Sequence, residues 1–592
     1  MSVRHTKIVC TLGPASSGRA VLADMIRSGM DVARVNMSHG THTSHARTIR
    51  LVRSLAEQLG RTVGIMADLQ GPKLRTGVMQ AGGVDLQEGA SITLDLSREP
   101  GTESRIPIQA EEFFGMVARG DRFVIDDGLL ELAVLDIAGT RMRAEVIHGG
   151  LLKDNKGINL LNDRVAVSPL TDKDRVDLEF AVQQEVDWIA LSFVQGPENV
   201  SEVKGLMYGL LPTGAMPIPV MSKIEKPGAV TAIDDIIALS DGIMVARGDL
   251  GIETGPERVP LIQKDLIRRC NLVGMPVVTA TQMLESMIHN PRPSRAEASD
   301  VANAVIDGTD CIMLSGETAI GRDPAHVIRT MASIVTAVED EFATPPLRSE
   351  GNADDPVEGI ADSVARSTVH LVDAVGASAI LTPTASGGTA RNLSRFRPAV
   401  PIVALTPNPR VRSMLTVHHG IQSLPSEDYD TSDEVIQDAI DRALDSSLVE
   451  EGDRVVITAG TVIGQSGMTN MITVRSATRP LFKGVGQGGK RVMGSSVQLA
   501  EILHNGIVDP HECILVAPKF TPECVEFASR SLGLITGCSA EAVAAMLPEG
   551  CTHDWLAIFG AVGDFSRAAE CRTLIMDTIT GRVFDLAQIR NI

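Results

Sequence analysis

The chain has 592 residues, of which 44% are hydrophobic and 22% charged, and carries a formal net charge of −20 at pH 7. That length exceeds a single hydrophobic core and predicts about three or four domains. The acidic balance argues against DNA as a partner, and 3% aromatics, with only Trp188 and Trp555, argue against base-stacking platforms for single-stranded nucleic acid. No apolar run is long enough to span a bilayer, and the start, "MSVRHTKIVCTLGP", lacks an apolar segment of signal type. The 8 cysteines form no CxxC pair and read as reduced thiols. A cytoplasmic protein without membrane or nucleic-acid partners is expected.

Short β-rich apolar runs recur, each followed by a helix-like stretch: "TKIVCTLG" (6–13), "DVARVNMS" (31–38), "TVGIMADLQ" (62–70), "DWIALSF" (187–193), "PVMSKIE" (219–225), "DGIMVARGD" (241–249), "PVVTATQM" (276–283) and "DCIMLSGET" (310–318). Such alternation predicts an α/β fold with a parallel sheet, and this number of units predicts a (β/α)8 barrel. The barrel is expected over 1–72 and 167–345. The long gap after the third strand, 73–166, alternates apolar and polar residues between Gly and Asp turns, which predicts an inserted small β-barrel domain. An α/β domain is expected over 346–478, after the linker "ATPPLRSEGNADDPVEG". A further α/β extension follows over 479–592, opened by the Gly-rich "FKGVGQGGKRVMG".

Polar residues gather at the C-terminal ends of the expected barrel strands, where barrel active sites are built. Arg34, Asn36 and Ser38 share one strand face, as do Lys223 and Glu225, and Arg247 and Asp249. Asp68 and Gln70 follow the third strand, Gly248 allows close approach to the backbone, and Thr281 ends the seventh. Glu225 and Asp249 are hard oxygen ligands suited to one Mg²⁺, and Lys223 beside them neutralises a phosphoryl group or an enolate. Arg34 and Arg75 suit phosphate oxygens. Any one of these groups alone reads as a rim salt bridge; their convergence reads as a phosphoryl-transfer site. In "SHGTHTSH", His39, His42 and His45 fit either a metal site or a solvated helix start.

These residues resemble the pyruvate kinase family. The resemblance rests on "CTLGPAS" (10–16), "ARVNMSHG" (33–40), "SKIE" (222–225), "SDGIMVARGDLGIE" (240–253), "ATQMLESMI" (280–288), "PRPSRAEASDVANAVIDGTDCIMLSGETA" (291–319) and "GQSGMTNMITV" (464–474), and covers about 1–475. It implies a barrel, a β lid and an α/β C domain, and transfer of phosphoryl from phosphoenolpyruvate to ADP, giving pyruvate and ATP. It implies that Lys223 stabilises the phosphoryl group and the enolate, and that Glu225 and Asp249 hold Mg²⁺ or Mn²⁺. Gly248, Asp249 and Thr281 then receive the substrate carboxylate, with Thr281 also in the relay that protonates the enolpyruvate carbon. Arg34 and Arg75 hold phosphoryl oxygens. Pro14, Asn36, His39 and Lys173, with Arg75, line the nucleotide. A cytoplasmic homotetramer, regulated by a phosphorylated effector, is also implied.

The family's K⁺ site corresponds to Asn36, Ser38, Asp68 and the carbonyl of Leu69. Family members that use K⁺ typically continue Thr-Lys-Gly-Pro-Glu, where this chain has Leu69-Gln-Gly-Pro-Lys73. The Lys73 ammonium is expected to replace K⁺; the alternative is a solvated hinge cation with K⁺ still bound. In "TPTASGGTARNLSRF" (382–396), Thr384, Ser386, Gly387, Gly388 and Thr389 suit either an ordinary βα turn or, as in the family, an effector phosphate loop. The tail resembles the swivelling phosphohistidine domain of phosphoenolpyruvate-utilising enzymes, but "GCSAEAVAAM" (537–546) has no His at the carrier position. A non-catalytic tail is expected. Rival functions are a catalytically inactive phosphometabolite sensor and another Mg²⁺-dependent barrel enzyme acting on pyruvate or phosphoenolpyruvate.

Overall fold

Alternating parity explains how the barrel closes. In the computed structural model, which describes residues 3–72, 74–126, 128–161, 170–342, 359–429, 431–460, 469–498, 509–547, 556–563 and 565–589, eight parallel strands form a closed barrel. They are β1 (Lys7–Thr11), β2 (Val32–Asn36), β3 (Gly64–Asp68), β4 (Trp188–Leu191), β5 (Val220–Ile224), β6 (Gly242–Ala246), β7 (Val277–Ala280) and β8 (Cys311–Leu314). One parity of each strand packs inside: Val9, Val32, Met66, Trp188, Met221, Met244, Val278 and Cys311 share a core. The other parity, such as Ile8, Ile65, Ile189 and Ile243, packs outward in a separate core with helical residues such as Leu22, Val52 and Leu266. A strand buried on both faces must be apolar at nearly every position, which is why these runs stood out in the sequence.

The expected insert is a seven-stranded sheet. Its order is Leu74–Arg75, Gly157–Leu160, Arg122–Ile125, Leu130–Ala138, Arg141–His148, Ser91–Asp95 and Arg105–Pro107, with Gly150–Lys153 pairing Gly83–Leu86 beside it. Phe113, Phe123, Leu132 and Met142 centre its own core.

The compact unit built around the barrel also takes in residues 394–399 and 409–423. Val417 joins the barrel-interior core. Trp188 Nε1 donates to the Met414 carbonyl (3.1 Å), and Lys7 Nζ donates to that of Ile421 (2.6 Å). Buried Arg397 grips Asp310 with both guanidinium ends, at 2.9 and 3.0 Å.

In the second unit, β9 (Ala379–Pro383) lies parallel between β10 (Ile402–Thr406) and β11 (Arg454–Gly460), and β12 (Thr469–Ser476) runs antiparallel to β11. The tail forms a closed seven-stranded barrel of mixed direction. Its strands are β13 (Phe482–Gln487), β14 (Arg491–Gln498), β15 (Cys513–Ala517), β16 (Gly533–Thr536), β17 (Ala557–Gly563), β18 (Thr573–Asp577) and β19 (Arg582–Asp585). Among the described residues no helix is long and apolar enough to cross a membrane.

Candidate active site

At the C-terminal rim the inward parity of the strands changes from apolar to charged. Arg34 follows Val32, Asp68 follows Met66, and Lys223 and then Glu225 follow Met221. These four, with Asn36, Ser38, Leu69, Asp249 and Thr281, line one cavity of about 120 Å³. The barrel register explains part of the convergence, because Asn36 and Asp68 are direct partners across β2 and β3.

The buried charges are mutually paired. Arg34 Nε donates to Asp68 Oδ2 at 2.6 Å, and Arg34 Nη1 to Thr11 Oγ1 at 2.8 Å. Lys223 Nζ lies 3.4 Å from Asp68 Oδ1 and 3.0 Å from Glu225 Oε1. Burial alone would raise Asp68, but Arg34 and Lys223 outweigh it and hold the carboxyl below its ordinary range. Burial likewise opposes the charge on Lys223, yet Asp68 and Glu225 raise the ammonium above its usual value. Glu225 is raised by burial, with Lys223 opposing and Asp249 adding to the rise. Two neighbouring carboxylates are stabilised by a shared cation. Among the described residues no three His, Cys, Asp or Glu side chains group to hold a metal. A cation held by Glu225 and Asp249 therefore completes its shell with water or substrate oxygens, which suits Mg²⁺.

The loops above the rim are strained. Phe193 has φ +56°, Thr281 +69° and Gln282 +54°, all in the left-handed region that L-residues rarely adopt. The Phe193 turn aims its N–H at Glu225 Oε2 (2.7 Å). Gly71, at φ +69°, packs so closely on Phe193 that an added Cβ would come within 2.7 Å of the ring. Thr281 Oγ1 accepts from Gly248 N (2.9 Å) and donates to the Ala280 carbonyl (2.7 Å).

Arg247 and Asp249 do not share a strand face. The strand stops at Ala246, and Arg247–Thr254 is a helix. Arg247 is spent on Asp300 Oδ1 and the Thr281 carbonyl, both 2.8 Å away, so it braces the loop while Asp249 faces the cavity.

The remaining expected residues lie off this cavity. Arg75, on the first insert strand, donates to the Asn155 carbonyl (3.0 Å). Pro14, at the start of a short turn, is exposed, and His39 is exposed beyond β2. Lys173 donates to the Met37 carbonyl (2.7 Å) and pairs with Asp177 (2.5 Å). His42 also binds Asp177 (2.7 Å) and stacks on Phe180, while His45 Nε2 donates to the His39 carbonyl. The rings of His42 and His45 thus have structural partners. Lys73 lies outside the described residues. In the second unit, Gly388 and Thr389 line a separate cavity of about 110 Å³ with Arg391, Thr458 and Thr469, and Gly387 N donates to Thr384 Oγ1 (3.0 Å).

Two participants escaped the sequence reading. Ser192 accepts from Lys223 Nζ at 2.8 Å, and it continues the inward parity Trp188–Ala190–Ser192, a signal that was there to read. Asn159, on the insert, reaches Asp249 at 3.5 Å, which no local pattern announces.

A family model described as pyruvate kinase, barrel domain, matches residues 3–328, and one described as pyruvate kinase, alpha/beta domain, matches 362–475. The chain belongs to the pyruvate kinase family. It is 41% identical to the pyruvate kinase of Geobacillus stearothermophilus over 537 residues, 90% of each chain. It is 40% identical to pyruvate kinase 2 of Synechocystis over 90% of this chain and 89% of that one. A solved pyruvate kinase from Cryptosporidium parvum matches with a TM-score of 0.72 and 36% identity, covering 80% of this chain and 96% of the other. The body the two share leaves part of this chain unmatched.

Proposed function

We propose that this member of the pyruvate kinase family transfers phosphoryl from phosphoenolpyruvate to ADP in the cavity at the barrel rim. The observation that carries this reading is the burial of Arg34, Asp68, Lys223 and Glu225 side by side. Desolvating four charged groups is costly, and a fold that needed only stability would gain more from apolar residues there. Arg34 and Lys223 supply the positive charge that positions the phosphoryl group and steadies it in flight. Lys223 also faces the oxygen of the forming enolate. Glu225 and Asp249 hold Mg²⁺, which when bound neutralises substrate oxygens. Thr281 and the Gly248–Asp249 backbone receive the carboxylate, and the Thr281 hydroxyl belongs to the relay that protonates the enolpyruvate carbon. The insert, closing over the rim, excludes water that would otherwise take the phosphoryl group. Pro14, Asn36, His39, Arg75 and Lys173 receive the nucleotide.

The test is pyruvate formation by the full chain from phosphoenolpyruvate and ADP with Mg²⁺. Lys223→Ala is expected to lower kcat by about a hundred- to a thousandfold. Pyruvate release that ignores ADP, or an undiminished Lys223→Ala, removes the assignment.

The enzyme is read as K⁺-independent, with the Lys73 ammonium in place of the ion. Full turnover is expected with tetramethylammonium as sole monovalent cation; near-zero turnover rescued by K⁺ refutes it. The Thr384–Thr389 loop is assigned to a phosphorylated effector, and the tail to a non-catalytic role as a swivelling-type extension. The assembly is read as a homotetramer.

A further inference from the structure

We propose that Ser192 is a positioning residue that keeps the Lys223 ammonium aimed at the transferring phosphoryl group when Glu225 turns to the divalent cation. The inference rests on the role assigned above to Lys223.

An ammonium has three N–H donors. In this structure each has an acceptor: Ser192 Oγ at 2.8 Å, Glu225 Oε1 at 3.0 Å and Asp68 Oδ1 at 3.4 Å. The resting lysine therefore has no donor left for substrate. Glu225 is also the metal ligand, and its other oxygen is held by the Phe193 N–H. Were Glu225 Oε1 to turn to a divalent cation, the Lys223 N–H that it now accepts would be free for a phosphoryl oxygen. Lys223 must not swing as that bond is lost. Asp68 is shared with Arg34 and lies farther away, so the short bond to Ser192 fixes the direction.

The Ser192 hydroxyl is built for accepting. It has one proton, and the Leu69 carbonyl takes it at 2.7 Å; Asp68 Oδ1, at 3.5 Å, is too distant to compete. A lone pair on Oγ is thus turned permanently toward Lys223. Leu69 is itself fixed, since its N–H donates to the Ala190 carbonyl (3.0 Å). Ser192 is 3% exposed, so water cannot replace it without opening the site. A neutral acceptor also suits the position: a third carboxylate would hold the proton against the substrate, whereas a hydroxyl orients the ammonium without cancelling its charge.

The experiment compares kcat, KM for phosphoenolpyruvate and thermal midpoint for the native chain, Ser192→Ala, Lys223→Ala and the double variant, with enzyme concentration raised to follow residual turnover. Ser192→Ala is expected to lose about ten- to a hundredfold in kcat, the range for removing one hydrogen bond to a charged group. Its KM should stay within about threefold and its midpoint within about 3 °C. In the Lys223→Ala background the same substitution should cost less than about twofold, since it acts through the lysine. Equal losses in both backgrounds, or a Ser192→Ala kcat within about twofold of native, overturn the proposal. Should Ser192→Ala unfold early, Ser192→Thr, which keeps the hydroxyl, is read instead; a kcat below about a tenth of native then overturns it. Native kcat in Lys223→Ala removes the role of the lysine itself. Collapse of Lys223→Ala alone leaves that role and removes only this inference.

Discussion

The chain closes two barrels, and among the described residues only the first buries a cluster of charged side chains around a cavity at its rim. Around the eight-stranded barrel, Arg34, Asp68, Lys223 and Glu225 are buried together. Among the described residues of the tail, Thr536, Asp577 and Thr578 are the buried polar side chains, and Asp577 has an evident structural duty. It pairs with Arg491, and its Oδ1 accepts from Ile579 N and Thr580 N in the turn between β18 and β19. The contrast separates a scaffold from a site. A buried charge whose bonds close a turn and tie down a neighbouring strand is accounted for by folding, whereas a buried cluster that surrounds a cavity is not.

Three substitutions put weight on that contrast. Asp68→Asn leaves Arg34 and Lys223 without their shared carboxylate, and should destabilise the chain by about 3–5 kcal/mol while abolishing most turnover. An unchanged thermal midpoint would show that the rim charges do not depend on one another.

Asp187→Asn should reshape the pH dependence of stability. Burial pushes the Asp187 carboxyl from 3.8 up to about 7, with the Ile65 N–H opposing the rise. The folded chain then keeps this proton up to about pH 7 while the unfolded chain loses it near 3.8, so stability falls as pH rises between those values. The variant should gain on the native chain across that window and hold its advantage above it, as read from thermal midpoints at about pH 5 and 8.

The smallest effect is expected from Asp577→Asn, about 1 kcal/mol of stability with kcat and KM untouched. A loss of turnover there would give the tail a part in catalysis.

The barrel strands were legible because both their faces are buried, so each is an unbroken apolar run whatever the neighbours are. Lys223 and Glu225 were legible for the same reason, as charges that interrupt an inward parity. Arg247 misled because it carries the same spacing to Asp249, and nothing local announces that the chain turns helical at that residue. Asn159 was invisible because its partner lies far along the chain. The strand Ile421–Pro425 was passed over because its short run, "IQSLP", buries only one side chain.

The path of the chain through the barrel floor has a consequence during synthesis. Val417 fills the interior core, and the Met414 and Ile421 carbonyls hold Trp188 and Lys7. A growing chain that has released all eight strands still lacks these groups, together with the Arg397 that grips Asp310. The barrel is thus completed by residues made about a hundred positions later, and it lacks part of its set of contacts until residue 423 has left the ribosome.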